Sequence, residues 1–210
     1  MGNKLLIELQ FLPSLEYFVA LRKFDKVVFD QHEHFIKQTY RNRCYILGAN
    51  KVIDLVVPVK GGSQKIPMKD VQIDYFHNWV GPLCRSISSA YGKSPFFEFY
   101  SDELFKILKS GEDQLLDMNR RLLSFCLECL QIDIPHSYST QYHSDEKEQI
   151  TDLRSHIHPK KSFKQRNLYR PEPYNQIFGS KFVADLSIID LLFCEGPHSV
   201  EILNKSIFAE

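Results

Sequence analysis

The opening of the chain constrains the fold most, because two strand patterns flank a helix pattern there. KLLIEL, residues 4 to 9, predicts a buried strand, which Pro13 ends. SLEYFVALRKF then places apolar side chains at helical spacing, with Ser14 as the N-cap, and KVVFD predicts the second strand. Strand, helix and strand in this order most simply form a right-handed parallel β-α-β unit. The sequence therefore predicts an α/β fold.

An antiparallel hairpin is predicted next, over residues 38 to 59. TYRNRCYIL alternates between polar and apolar residues, GANK is a turn signal, and VIDLVVPV is a second apolar run. VQIDY, residues 71 to 75, predicts one further strand. We expect the β-α-β unit and the hairpin to share a mixed sheet.

The second half of the chain is predicted to be mainly helical. Three helix patterns cover residues 78 to 92, 94 to 111 and 112 to 130, and two short helices lie on either side of a Gly-Pro near the end. HSYSTQY predicts a strand, and the charge-dense residues 144 to 167 predict a surface loop with one helical turn. Without repeats or linkers, residues 1 to 210 are predicted to form a single domain with a helical C-terminal half.

The balance of charges excludes several classes of partner. Lys plus Arg number 26, as do Asp plus Glu, so the chain has no general attraction for nucleic acid or anionic membranes. It contains no run of 18 apolar residues and no signal-peptide pattern. We therefore expect a cytoplasmic protein that has no membrane span and binds no nucleic acid. Any anion site must be local.

The cysteines predict core thiols rather than a metal centre. Their number, five, is odd and their spacing is irregular. Cys126 and Cys129 form a C-x-x-C deep inside a helix pattern, without a second pair at zinc-finger spacing. Glycine-rich dinucleotide and Walker motifs are absent too. We expect no cofactor and no metal.

The turn after the first predicted strand is the first candidate site. In a β-α-β unit this turn lies at the carboxyl edge of the sheet, where ligands of open α/β sheets bind and where the helix N-terminus offers amides to an anion. The segment from Gln10 to Tyr17 occupies that position. The alternative is structural: Pro13 stops the strand and Ser14 caps the helix.

The stretch DQHEHFIKQTYRNRCYI, residues 30 to 46, is the second candidate site. If its end is a strand, Arg41 and Arg43 share one face with Lys37 close by, and paired guanidinium groups suit a phosphate or carboxylate. The alternative is a solvated face whose arginines pair with acids such as Glu33.

The same stretch contains an H-x-H pair. His32 and His34 resemble metal ligands, but such a pair needs a third ligand from elsewhere, and the neighbouring basic residues disfavour a cation. A metal site is the minor alternative.

Three further segments carry candidate residues. Arg85 lies in the helix pattern RSISSAYG, where Tyr91 resembles a dehydrogenase tyrosine only superficially because its lysine spacing differs. In TDLR, Asp152 and Arg154 either form a salt bridge or orient a substrate. No G-x-S-x-G elbow surrounds a serine.

Seven segments in order resemble the WbqC-like family. They are LQFLPSLEYF, DKVVFDQHEHFIKQTYRNRCYI, LVVPVK, RSISSAYGKSPFFEFY, TDLR, PYNQIF and LSIIDLLFCEGP. The resemblance covers nearly the whole chain. It implies a bacterial protein, because the family takes its name from a protein encoded in O-antigen clusters and proposed to transfer glycine to an amino sugar.

The resemblance also bears on particular residues. Gln10 and Pro13 match a Q-P-x-Y-L-P-W-type block whose tryptophan is missing here, and Lys37, Asn42 and Arg43 match a K-Q-x-x-x-N-R block. Many relatives have His-Trp just before the arginine that is Arg85, whereas this chain has Leu-Cys. The resemblance thus implies an anion pocket between the first turn and the hairpin, and leaves the shared chemistry open.

The leading hypothesis is a transferase that moves an acyl or aminoacyl group onto a nucleotide-activated amino sugar. His32 or His34 would deprotonate the attacking amine, since an ordinary histidine pKa suits that task. The residues predicted to bind the ligand are Gln10, Tyr17, Lys37, Arg41, Asn42, Arg43, Arg85, Tyr91, Asp152 and Arg154. The first alternative is a non-catalytic anion-binding or scaffold protein that works with a partner enzyme of an envelope pathway. The second is a metal-dependent hydrolase using the two histidines.

Overall fold

The computed structural model describes residues 3–61, 65–141 and 150–208. Strand β1 (Lys4–Glu8), helix α1 (Leu15–Arg22) and strand β2 (Lys26–Asp30) form the opening unit. The two strands pair in parallel, with Lys4 opposite Lys26 and Glu8 opposite Asp30. The predicted β-α-β unit is confirmed, and its two strands end on acids that lie side by side.

The predicted hairpin is formed by β3 (Arg43–Leu47) and β4 (Val52–Val56), which pair antiparallel. Among the described residues these strands form a two-stranded sheet of their own rather than joining the parallel sheet. Arg41 precedes β3, so the expected strand face that carries both arginines does not form. The strand predicted at residues 71 to 75 is also wrong, because Ile73 makes only an isolated bridge.

The main sheet is completed by β5 (His136–Tyr138) and β6 (Ile150–Asp152), both parallel to their neighbours. Its order is β5-β2-β1-β6. The chain leaves β1 towards β2 and β5 and returns on the other side of β1, so the winding direction reverses between β1 and β6. In open α/β sheets, ligands bind outside the carboxyl ends of the strands at such a reversal. The prediction of a loop for residues 144 to 167 missed β6, and residues 142–149 lie outside the described residues.

The remaining helices agree with the predicted helical second half. They are α2 (Val80–Tyr91), α3 (Phe97–Leu108), α4 (Leu115–Cys129), α5 (Ile188–Glu195) and α6 (Ser199–Lys205). Cys126 and Cys129 lie on α4, and burial raises the pKa of both thiols, as expected of core cysteines. Within the described ranges, no helix is long and apolar enough to cross a membrane.

The hydrophobic core is one continuous cluster of buried side chains that runs from Leu5 to Leu203. Helix α1 lies inside it, with every residue from Leu15 to Leu21 buried. A helix that is buried on all sides must provide partners for any charge it carries. Glu16 is such a charge, and its carboxylate is paired with Arg166.

Candidate functional site

Six charged side chains meet at the carboxyl edge of the parallel sheet. We call them the carboxyl-edge cluster: Glu8, Asp30, Glu33, Arg41, Asp152 and Arg154. Strands β1, β2 and β6 end at three of these acids. Because the carboxyl ends of parallel strands meet at one edge, the fold itself gathers these carboxyl groups at the reversal between β1 and β6.

Arg41 forms one half of the cluster and is almost completely buried. Its Nε donates to Glu33 Oε1 at 2.7 Å and its NH2 to Glu33 Oε2 at 2.5 Å, a bidentate pair. The same NH2 donates to Ser155 Oγ at 2.8 Å and lies 4.0 Å from Glu8 Oε2. Glu8 accepts a further hydrogen bond from the backbone N–H of Ser155 at 2.8 Å. Arg41 therefore joins the end of β1 to the loop after β6.

Arg154 forms the other half and joins the ends of β2 and β6. Its NH1 donates to Asp30 Oδ2 at 2.6 Å, and its NH2 donates to Asp152 Oδ2 at 2.7 Å. Asp30 is fully buried and accepts from Ser139 Oγ at 2.8 Å through its other oxygen. Asp152 is about half exposed, at 47% of its side chain. The cluster thus opens to solvent on the β6 side.

The charges of the cluster do not balance, because four carboxyl groups face two guanidinium groups. Burial raises the pKa of Glu33 to about 7, with Arg41 acting in the opposite direction and Glu8 adding to the rise. Burial would also raise the pKa of Asp152, but the hydrogen bonds and charge of Arg154 lower it. Asp152 is therefore ionised at neutral pH, whereas Glu33 is present in both its protonated and its ionised form.

Backbone strain and unpaired polar atoms surround the cluster. Leu12, Gln38 and Ser155 have positive φ angles of 42°, 61° and 56°, a region in which non-glycine residues cost roughly 1 kcal/mol or more. Gln10 Oε1 and Asn119 Oδ1 are buried acceptors without a hydrogen-bond partner. Strained backbone of this kind is found at ligand sites, and the described residues also have it at Gln131, Asn167 and Asp185.

The N-terminus of α1 is closed, contrary to the expectation of free amides for an anion. The N–H of Leu15 donates to Leu186 O at 3.0 Å, and that of Glu16 donates to Asp185 Oδ1 at 3.2 Å. The next two amides of the helix donate to Ser14 O. The chain itself supplies the carboxylate for this helix end, through Asp185.

A family model described as the WbqC-like protein family matches residues 10–167, about three quarters of the chain. The chain belongs to the WbqC-like protein family. No curated protein and no solved structure matches it. The segment that matches the WbqC-like model contains Arg41, Asp152 and Arg154, and it begins two residues after Glu8.

Three predicted ligand residues of this WbqC-like chain lie inside the fold beside the cluster. Gln10 donates from Nε2 to Glu8 Oε1 at 2.8 Å, and Tyr17 OH donates to Glu8 O at 2.8 Å. Asn42 donates to Val57 O at 2.8 Å and so fixes the start of the hairpin. Gln10 thus holds the carboxylate of Glu8 in place and Tyr17 holds its backbone carbonyl. Asn42 instead supports the backbone of the hairpin.

The two predicted catalytic histidines follow β2 directly. The backbone N–H of His32 donates to Asp30 Oδ1 at 2.9 Å, and His34 forms an isolated bridge with Pro67. Both residues are partly buried. The backbone N–H of His32 thus contacts the cluster at Asp30. The catalytic role of His32 stays a prediction.

The other predicted residues are distributed over three places. Lys37 is exposed in the loop before Arg41, and Arg43 is half-buried at the start of β3 with its Nε buried and unpartnered. Arg85 lines a separate cavity of about 530 Å3 on α2, and Tyr91 is buried where it donates to Asp190. Neither Arg85 nor Tyr91 is brought to the carboxyl-edge cluster.

His158 is a candidate residue that the sequence analysis missed. Its Nδ1 accepts from the N–H of Lys160 at 3.1 Å, which leaves the proton of the neutral ring on Nε2. Burial lowers the pKa of His158, and the positive charges of Lys161, Lys160 and Arg41 lower it further. The imidazole is therefore neutral at pH 7 and presents an N–H donor. His158 lies in the loop after β6, so its place near the sheet edge could have been predicted only if β6 had been recognised as a strand.

Proposed function

We propose that the protein binds a nucleotide-activated amino sugar at the carboxyl-edge cluster and transfers an acyl or aminoacyl group, such as glycyl, to the sugar amine. The proposal places this reaction in the cytoplasm, in the synthesis of a bacterial surface polysaccharide. It rests on membership of the WbqC-like family and on one observation: the excess of carboxyl groups at the strand reversal.

The charge excess favours an ammonium group over a bare anion. Arg41 and Arg154 already have carboxylate partners, so they offer a phosphate less than free guanidinium groups would. An ammonium beside Asp152 would instead compensate a carboxylate that is half exposed. In a partly buried site, an opposite charge at about 4 Å is attracted several times more strongly than in bulk water. The cluster therefore suits the amine of the acceptor.

Transfer requires that the amine lose protons and that the acyl carbonyl be polarised. The ammonium first gives up one proton to become a nucleophile, and a second leaves as the C–N bond forms and the bond to the donor's leaving group breaks. His32 or His34 is the proposed base, and Glu33 is a carboxyl group whose pKa of about 7 allows it to hold one of these protons. The Nε2–H of His158 is the proposed donor to the carbonyl oxygen.

Binding measurements with two matched ligands test the proposal. A UDP-linked amino sugar and the same nucleotide linked to the corresponding hydroxy sugar differ only in the amine. We expect isothermal titration calorimetry to show about tenfold tighter binding of the amino sugar. Asp152→Asn should abolish this preference, because it removes a negative charge but keeps the acceptor that bonds Arg154.

Glu103→Gln is the matched control, since it removes one carboxylate from an exposed ion pair on α3. It should leave the preference unchanged. Equal affinities for the two sugars in the unaltered protein would contradict the proposal, as would a preference that Asp152→Asn does not alter.

A second candidate function is binding without turnover. Burial raises the pKa of all five thiols, so no cysteine is an activated nucleophile. In addition, Leu83 and Cys84 stand where many relatives have His-Trp. Mass spectrometry of the amino sugar after incubation with activated glycyl donors separates the candidates. A product heavier by one acyl group supports transfer, and tight binding without product supports a binding or scaffold role.

A further inference from the structure

A cavity of about 380 Å3 lies between the hairpin and the loop after β6. We call it the lysine–tyrosine basin, after the residues that characterise its lining: Tyr40, Tyr45, Lys160 and Lys161. The basin is open to solvent, and two cationic side chains and two tyrosine rings contribute to its lining. Phosphate groups and a flat ring are the chemistry that such a lining recognises.

The two lysines lie on a loop that other contacts hold in place. Lys160 Nζ donates to Gln38 Oε1 at 2.6 Å, and the N–H of Lys161 donates to His158 O at 3.0 Å. Arg166 donates from NH1 to Lys161 O at 3.0 Å, while the rest of its guanidinium is paired with the buried Glu16. The loop is thereby anchored to α1. The backbone of the loop and the ammonium of Lys160 are therefore positioned before any ligand arrives, which lowers the entropy lost on binding.

The aromatic wall is also fixed. The rings of Tyr40 and Tyr45 pack edge to face at 5.9 Å between centroids, with an interplanar angle of 89°. Tyr40 is buried and Tyr45 is partly exposed, so the inner ring supports the outer one. A partly exposed ring that is held by a second ring can stack on a nucleobase, whichever base it is.

The basin and the carboxyl-edge cluster share two segments of chain. Tyr40 lines the basin and Arg41, the next residue, belongs to the cluster. Pro159 lines the basin and His158, the residue before it, lies within the electrostatic influence of Arg41 and Glu8. A ligand that occupies both the basin and the cluster would place its phosphates and its flat ring in the basin and its amine at the cluster.

We propose that the lysine–tyrosine basin binds the nucleoside diphosphate part of the substrate, with the phosphates at Lys160 and Lys161 and the base against Tyr45. This inference rests on the proposed function and adds where the nucleotide lies. Asp185 also lines the basin, and its ionised form opposes phosphate, so the two lysines together are needed to give the basin a positive excess when Asp185 is ionised.

UDP, pyrophosphate and uridine are the probes, because UDP contains both recognised groups and each of the others contains one. We expect calorimetry to rank UDP above pyrophosphate, and pyrophosphate above uridine. Lys160→Gln combined with Lys161→Gln should weaken UDP and pyrophosphate about tenfold or more without affecting uridine. Tyr45→Leu should weaken UDP and leave pyrophosphate unchanged.

Lys164→Gln is the matched control, because Lys164 belongs to the same loop but lines a different cavity. An equal loss of UDP affinity in this control would overturn the proposal, since the loss would then reflect general charge. Binding of UDP that survives the double lysine substitution would overturn it too. UDP has no amine, so its binding tests the basin alone, whereas the preference for an amino sugar and its loss in Asp152→Asn test the proposed function.

Discussion

The carboxyl-edge cluster and the cluster around Asp190 are two buried polar groups that differ in how their carboxyl groups are compensated. Asp190 on α5 accepts from Tyr91 OH at 2.7 Å, from Tyr174 OH at 2.5 Å and from Gln176 Nε2 at 3.0 Å. All three donors are neutral, and both carboxylate oxygens are used. The carboxyl-edge cluster instead combines several like charges at the strand ends. The Asp190 cluster is a closed support between helices, and the carboxyl-edge cluster is an open arrangement of charges.

The energetics of the two clusters differ accordingly. A single carboxylate with several donors links its surroundings and leaves little unpaired, although burial raises the pKa of Asp190 against those hydrogen bonds. Buried ion pairs seldom add net stability, because desolvation offsets their attraction. Stability therefore explains the Asp190 cluster but not why the fold gathers four carboxyl groups and strained backbone at one edge. The proposed ligand binding would give the latter a role.

The largest expected effect is that of Arg41→Ala. It leaves Glu33 and Glu8 buried without their cation, and breaking a buried pair in this way costs about 3–5 kcal/mol. Urea denaturation at about pH 8 measures the loss. At about pH 5 the loss should be smaller, because Glu33, whose pKa is about 7, is then protonated in the folded protein.

A double substitution separates stability from function at the same place. Arg41→Met with Glu33→Leu removes both charges and should recover stability to within about 1–2 kcal/mol of the unaltered protein. The preference for the amino sugar over the hydroxy sugar should nevertheless be lost. If the double variant binds normally, the cluster is a structural feature like Asp190 and the contrast disappears.

The next effect is that of Asp190→Ala. The buried Tyr91 OH and the partly buried Tyr174 OH lose their acceptor and Gln176 loses one of two, at a cost of about 2–4 kcal/mol in the free energy of unfolding. Tyr174→Phe removes one donor only and should cost about 1 kcal/mol. Thermal and urea denaturation measure both. Folded protein of either variant should bind the amino sugar as before, and a specific loss of binding would show that this cluster also contributes to the site.

The sequence predicted the opening of the fold well because local signals coincide there. Pro13 marks the end of the first strand, the helical spacing from Leu15 marks the helix, and the apolar KVVFD marks the second strand. Strand β6 was missed because a strand of three residues, Ile150–Asp152, carries too little periodicity to be recognised. Its place beside β1 depends on tertiary pairing, which no local pattern contains.

The same limit applies to the candidate site. Arg41, Asp152 and Arg154 were recognised as charged candidates, but their meeting with Glu8 and Asp30 depends on the order of the strands. The free amides expected at the start of α1 are absent because Asp185, far along the chain, accepts the N–H of Glu16. Contacts between distant segments decide which charges are already paired, and spacing along the chain does not show them.

Asp185→Asn is expected to change how stability depends on pH, and it keeps an acceptor for the N–H of Glu16. Burial, followed by the charge of Glu16, raises the pKa of Asp185 to about 7. The folded state then holds a proton that the unfolded state has released, so stability falls as the pH rises from about 4 to about 7. The asparagine variant lacks this fall. It should match the unaltered protein near pH 4 and exceed it near pH 8, by at most about 4 kcal/mol for a rise of about three pKa units. A difference that stays constant over this pH range, measured by urea denaturation, would contradict the assignment.

The smallest effect on stability, and a clear one on binding, is expected from Arg43→Ala. Arg43 and Tyr45 are two residues apart on β3, so their side chains leave the same face of the strand, and Tyr45 lines the lysine–tyrosine basin. Its buried Nε has no hydrogen-bond partner, so truncation breaks no bond at that atom and should cost less than about 1 kcal/mol. Affinity for UDP should fall about tenfold, because one charge-assisted contact is lost. Arg43→Lys keeps the charge without the planar donor pair and should show an intermediate affinity. If Arg43→Ala unfolds readily while UDP binding by the folded fraction is unchanged, the residue supports the hairpin and has no part in recognising the ligand.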